Sequence, residues 1–210
     1  PLPARADPCR AWTPSALVTA VVPVAVPSAP SAPGPTAALR VSVGGVVSDI
    51  DFGKAIACWA GHAGCDPSAI VARFVRGEAY RQHEIGRISD AAYFDSLRTG
   101  LGLGLSDDQL LEGWNAIFAG EMPGIAALLA RAARRLPLYA FSNTNRPHVA
   151  HFSKAYADLL GHFRELFLSS TIGLRKPDAA AYDHVVKAIG VPASRIVSFD
   201  DLAEHFEGER

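Results

Sequence analysis

Leu138-Tyr139-Ala140-Phe141-Ser142-Asn143-Thr144-Asn145 is an apolar run of strand length that ends abruptly in hydroxyl and amide side chains. A buried strand explains the first half, and the polar half then falls just past its carboxyl end. Open α/β sheets take their ligands at that end of the strands, so Ser142 and Asn143 are candidates for holding phosphate oxygens. Such a cluster also makes ordinary turns and caps, and alone it would decide little.

Two further clusters repeat the pattern. Gly173-Leu174-Arg175-Lys176-Pro177-Asp178 sets an ammonium just before a helix that opens on proline. A cation gains nothing from the dipole there, so Lys176 is better explained by an anionic ligand or a nearby carboxylate. Val197-Ser198-Phe199-Asp200-Asp201 ends a strand in two adjacent carboxylates, whose repulsion calls for a cation; Mg²⁺, with its preference for oxygen ligands, suits them.

Outward from these clusters the chain alternates strand and helix. Helices are expected over 122–136, 147–160 and 177–189, with strands over 138–141, 166–170 and 195–199. Upstream, Leu39-Arg40-Val41-Ser42-Val43-Gly44-Gly45-Val46-Val47 reads as a buried strand opening into a loop. Residues 53–120 read as helices. Asp66-Pro67 and Ser106-Asp107-Asp108-Gln109 are helix starts, and Trp59, Trp114, Phe74, Phe94 and Leu110 supply inner faces.

The chain has 210 residues, 49% apolar and 20% charged, with a formal net charge of −1. This is a core-forming composition without the basic surface that nucleic acid or anionic lipid requires, so a small-molecule partner is expected. Cys9, Cys58 and Cys65 have neither paired count nor metal spacing, and are read as free thiols in a reducing, cytoplasmic setting. Residues 1–38 are rich in Pro, Ala and Ser, and are expected to be a disordered tail or a translation artefact; the chain opens on Pro rather than Met. Within them the apolar run 16–26 is too short to span a membrane and only imitates a secretory signal.

Together with Gly77-Glu78-Ala79-Tyr80-Arg81-Gln82-His83-Glu84-Ile85-Gly86-Arg87-Ile88-Ser89, the three clusters resemble ordered motifs of the haloacid dehalogenase superfamily. They resemble in particular its bacterial sugar-phosphatase group, which includes α-D-glucose-1-phosphate phosphatase and is similar to the phosphatase domain of soluble epoxide hydrolases. The resemblance runs from about residue 41 to the C-terminus. It implies an α/β fold with a Rossmann-like core and parallel sheet (39–52 and 121–210) and an inserted helical cap (53–120). It also implies a Mg²⁺-dependent phosphatase acting on a small phosphorylated metabolite such as a sugar phosphate. In such enzymes an aspartate attacks phosphorus and the acyl-phosphate is then hydrolysed. Carried over by position, Ser142 and Asn143 would bind phosphate, Lys176 would neutralise the transferring group, Asp201 would ligate Mg²⁺, and Asp200 would support it.

The resemblance breaks at its most important position. Ser42 stands where the family has its nucleophilic aspartate. A hydroxyl is a poor Mg²⁺ ligand, and no activating base is evident in the sequence, so impaired turnover is expected. A rival alignment takes Asp49 as nucleophile and Asp51 as acid/base, but it places Gly44 and Gly45 inside a strand. Smaller departures are Ser198, Leu202, His205 and the lack of the final strand into which the family continues beyond the position of Gly208. His83 with Glu84 is a further candidate for facing the substrate. Alternatives are a non-catalytic phosphate-binding protein and a 2-haloacid dehalogenase, the latter disfavoured because it needs no metal.

Overall fold

The computed structural model describes residues 35–209. The strands are β1 (Ala38–Val41), β2 (Ser48–Ile50), β3 (Phe118–Glu121), β4 (Leu138–Ser142), β5 (Glu165–Leu168) and β6 (Ile196–Phe199). Four of them form a parallel sheet in the order β5-β4-β1-β6, which is the expected α/β fold.

Side chains alternate across this sheet, as the period of a strand requires. Leu138 and Ala140 point into one apolar layer with Phe152, Tyr156 and Leu159; Tyr139 and Phe141 point into the other with Tyr182 and Val185. The first layer is closed by α6 (Ile125–Ala133), α7 (Arg146–Ala155) and α8 (Ala157–Leu160). Short α9 (Ser169–Ile172) follows β5, and α10 (Ala179–Ile189) closes the second layer.

Between β2 and β3 lie α1 (Phe52–Ala63), α2 (Pro67–Val71), α3 (Glu78–Glu84), α4 (Asp90–Leu101) and α5 (Asp107–Asn115). The expected starts are present: Asp66 accepts from the Ser68 amide ahead of α2, and Ser106 with Gln109 forms a reciprocal capping box on α5. These helices surround their own apolar cluster, at whose centre Trp59 stacks on Trp114 with ring centroids 6.2 Å apart. Gly113 touches that stack: a Cβ there would lie 2.2 Å from Trp59 Nε1. Gly113→Ala is therefore expected to destabilise, by about 1–3 kcal/mol for overpacking against roughly 1 kcal/mol of helix-propensity gain. A thermal unfolding midpoint equal to or above that of the unmodified chain would show that the stack yields instead.

Several boundaries differ from the sequence expectations. The ordered chain begins earlier than residue 39, because the Ala37 amide donates to Arg195 carbonyl oxygen and Ala38 already pairs with Ile196. The rest of the expected tail, 1–34, lies outside the described residues. The helix expected over 122–136 begins only at Ile125, after Gly124 in a left-handed conformation (φ 79°). The helix expected over 147–160 is broken at Tyr156, and 169–170 are helical rather than strand. β2 and β3, an antiparallel ribbon at the root of the helical segment, was not anticipated; Ser48 Oγ secures it through hydrogen bonds with Gly120 carbonyl oxygen (3.2 Å) and Tyr156 Oη (3.1 Å).

The reading of three free thiols is corrected in part. Cys65 is free and exposed, but Cys58 is disulfide-bonded. Among the described residues no helix is long and apolar enough to cross a membrane.

Candidate active site

The site is assembled from three adjacent strand ends. β1 ends at Val41, and the Ser42 amide donates to the Phe199 carbonyl at the end of β6, which brings the serine beside the Asp200-Asp201 pair. β4 ends on Ser142 at the other flank of β1. Lys176 reaches under all of them, 2% exposed, its ammonium donating to Ser42 Oγ (3.3 Å), to Phe141 carbonyl oxygen (2.9 Å) and to Asp200 Oδ2. A cavity of about 590 Å³ opens above, lined by Ser42, Ser142, Asn143 and Asp201 from the sheet side and by Arg76, Tyr80 and Glu84 from the helical segment.

The two carboxylates are not equivalent. Asp200 accepts from Lys176, from His205 Nδ1 (2.7 Å) and from the Leu202 amide (3.1 Å). Burial alone would raise its carboxyl, but these donors outweigh that and hold it down to about 2. Burial likewise pulls the Lys176 ammonium down while Asp200 pushes it back; the contact between them is that of an ionised pair. Asp201 is different. Burial and then repulsion from Asp200 push its carboxyl up, and it has no cation within ion-pair distance among the described residues. It lies against Gly45, whose left-handed backbone (φ 74°) and missing Cβ make the room: a Cβ there would stand 2.1 Å from Asp201 Cγ. One carboxylate is thus consumed by the protein, and the other is left facing the cavity.

Asn143 is placed differently from a simple phosphate ligand. Its amide nitrogen donates to Lys176 carbonyl oxygen (2.9 Å) and its oxygen accepts from the Lys176 amide (2.8 Å). Both ends of the side chain therefore fix the lysine loop against the β4 loop, whereas the Ser142 hydroxyl has only a long contact to Asn143 carbonyl oxygen (3.5 Å) and lines the cavity. Asp49 sits on the β2 ribbon, not at the end of a sheet strand, while still lining the cavity mouth. His83 faces away: it is 2% exposed, bonded to Asp90 (2.8 Å) and stacked on Tyr93, and burial lowers its imidazole below the usual range. Its neighbour Glu84 does reach the cavity, where Arg175 holds it at 3.0 Å; burial pushes its carboxyl up against that attraction.

Two features escaped sequence reading. Arg40, in the middle of β1, is 4% exposed; it lies over the rings of Tyr182 (4.9 Å) and Phe141 (5.6 Å) and donates to Ser198 Oγ, its register partner on β6. The unusual Ser198 thus answers an unusual arginine, and the signal was a charged residue interrupting an apolar strand. The second is Ser169, fully buried, whose Oγ accepts from the Thr144 amide and contacts the carbonyl oxygens of Thr144 and Glu84, tying the β4 loop to α3.

Comparison with known proteins agrees with this fold. The family model for haloacid dehalogenase-like hydrolases matches residues 17–205. Phosphatase MT3486 of Mycobacterium tuberculosis is 32% identical over 120 residues, 56% of this chain; the match spans only 55% of that protein. A haloacid dehalogenase family enzyme of Bacteroides thetaiotaomicron, solved with magnesium and inorganic phosphate, superposes with a TM-score of 0.71 at 22% identity, covering 83% of this chain and 89% of that one. L-2-haloacid dehalogenase of Xanthobacter autotrophicus superposes at 0.55 and 18% identity, covering 77% and 68%. At such identities the likeness is one of fold.

Proposed function

Because this chain belongs to the haloacid dehalogenase-like hydrolases, we propose that its cleft is a phosphatase-type site for a small phosphomonoester, and that Ser42 leaves it nearly without turnover. The observation that carries the reading is the Ser42 hydroxyl 3.3 Å from a buried, ionised Lys176, on the wall shared with Ser142 and Asp201. An ammonium, a hydroxyl donor and an unpaired carboxylate are what a phosphoryl group and a divalent cation need from a protein. A dehalogenase attacks carbon and needs no metal, so a carboxylate such as Asp201 facing the cavity favours the phosphatase reading.

The donor set fits Mg²⁺ in part. Asp201 is the carboxylate that would hold it, with Asp200 too occupied by Lys176 and His205 to do more than support. Ser42 would contribute a neutral oxygen where the family has an anion. When bound, the ion supplies neutralisation of phosphoryl charge. Lys176 shares that task, Ser142 donates to a phosphoryl oxygen, and Asn143 keeps the lysine loop in register. The helical segment serves as a cap, offering Tyr80, Glu84 and Arg76 to the leaving group, a polar wall with an aromatic face that suits a sugar or similar polyol. A cytoplasmic setting fits the free Cys65 thiol; the Cys58 disulfide speaks against it.

Calorimetric titration of the unmodified chain with inorganic phosphate is expected to show binding that strengthens with Mg²⁺ and is lost in Lys176→Ala. Hydrolysis of p-nitrophenyl phosphate is expected to stay near the uncatalysed rate. Sustained, metal-dependent turnover would overturn the role given to Ser42, and absence of phosphate binding would overturn the phosphatase-type site.

A further inference from the structure

Resting on that reading, we propose that Ser42 is a self-phosphorylation site: the chain takes one phosphoryl group from a small phosphomonoester with a good leaving group and keeps it. Ser42 is 6% exposed yet lines the cavity, and Lys176 donates to its Oγ, so the hydroxyl is held in one place beside the groups that would seat a phosphoryl. In the step, the Oγ–P bond forms as the bond from phosphorus to the leaving oxygen breaks. The hydroxyl proton departs with the leaving oxygen. Phosphomonoester and serine become phosphoserine and alcohol, with no redox change and no other reactant.

The second half of a phosphatase cycle is where the hydroxyl differs most from a carboxylate. An acyl-phosphate is cleaved by expelling a stable carboxylate. Phosphoserine is itself a phosphate monoester, of the class whose uncatalysed hydrolysis is among the slowest reactions known. Lys176 and the Ser142 hydroxyl would also stabilise the added charge and oxygens. The first transfer is slow for want of a strong nucleophile, but a product that does not turn over accumulates.

The test is intact-mass measurement of the full chain after prolonged incubation with p-nitrophenyl phosphate, with and without Mg²⁺. The expected result is the gain of a single phosphoryl group, mapped by peptide sequencing to Ser42, with about one p-nitrophenolate released per chain and none from Ser42→Ala. Phosphate binding without mass gain would overturn this inference and leave the phosphatase-type site standing. Neither binding nor mass gain would overturn both. A phosphoryl group mapped to any other residue, or continuing release of p-nitrophenolate, would also overturn it. Mapping on the unmodified chain makes the result independent of whether Ser42→Ala folds.

Discussion

Ser42→Asp is expected to raise Mg²⁺-dependent hydrolysis of p-nitrophenyl phosphate by about 10³-fold or more, because loss of a nucleophile in a well-studied hydrolase costs on the order of 10⁶ in turnover. The substitution supplies two things at once: a carboxylate to attack phosphorus, and an anionic oxygen for the metal beside Asp201. The site can accept the new charge. Lys176 already lies 3.3 Å from Oγ, and Asp201 is already short of a cation. Without Mg²⁺ the same variant should be less stable than the parent, since carboxylates at 42 and 201 would then repel. Adding Lys176→Ala or Asp201→Ala to Ser42→Asp should return activity to background. Asp49→Asn separates the two alignments: it should leave most of the restored activity, given that Asp49 lies on the ribbon rather than at a strand end. If the unmodified chain is active and Asp49→Asn abolishes that activity, Asp49 is the nucleophile and the assignment of Ser42 fails.

Acid should reveal the buried Asp200 pair. Its carboxyl is held at about 2 in the folded chain against 3.8 for the free group, so a lowered pKa contributes stability that is complete above the unfolded value. That contribution is lost as pH falls from about 4 through 2, and the difference corresponds to roughly 2 kcal/mol. Asp201 acts in the opposite sense: its raised carboxyl makes the ionised form a liability that protonation relieves as pH falls. Denaturant unfolding of the metal-free chain between pH 7 and pH 2 should therefore be compared with Asp200→Asn and Asp201→Asn. Asp200→Asn should cost about 3–5 kcal/mol at pH 7, because it leaves the Lys176 ammonium buried without its counter-charge. It should also remove most of the loss below pH 4. A parent and an Asp200→Asn variant that lose stability in parallel from pH 5 to pH 2 would show that the pair is not what acid breaks.

Local chemistry was enough to place the polar ends of β4 and β6 and the starts of α2 and α5. The polar residues after β4 and β6, the Pro after Lys176 and the capping residues Asp66 and Ser106 each act through groups a few positions away, and such signals are legible from composition and spacing. The same signals singled out Ser142, Asn143, Lys176, Asp200 and Asp201, whereas Ser42 stood out as a misfit only through the resemblance to the family.

What each of those groups does was decided by contacts between residues far apart in the chain. Lys176 meets Ser42 across 134 positions, and Asn143 spends both ends of its amide on the main chain of a residue 33 positions on. Arg40 finds Ser198 only because β1 and β6 pair in register, and Glu84 reaches the cavity while His83, its neighbour, turns inward to Asp90. A side chain's partners are set by which surfaces pack together, and adjacent residues on one helix point in different directions. Sequence order therefore named the chemical groups, and tertiary packing chose which carboxylate is neutralised by Lys176 and which is left facing the cavity.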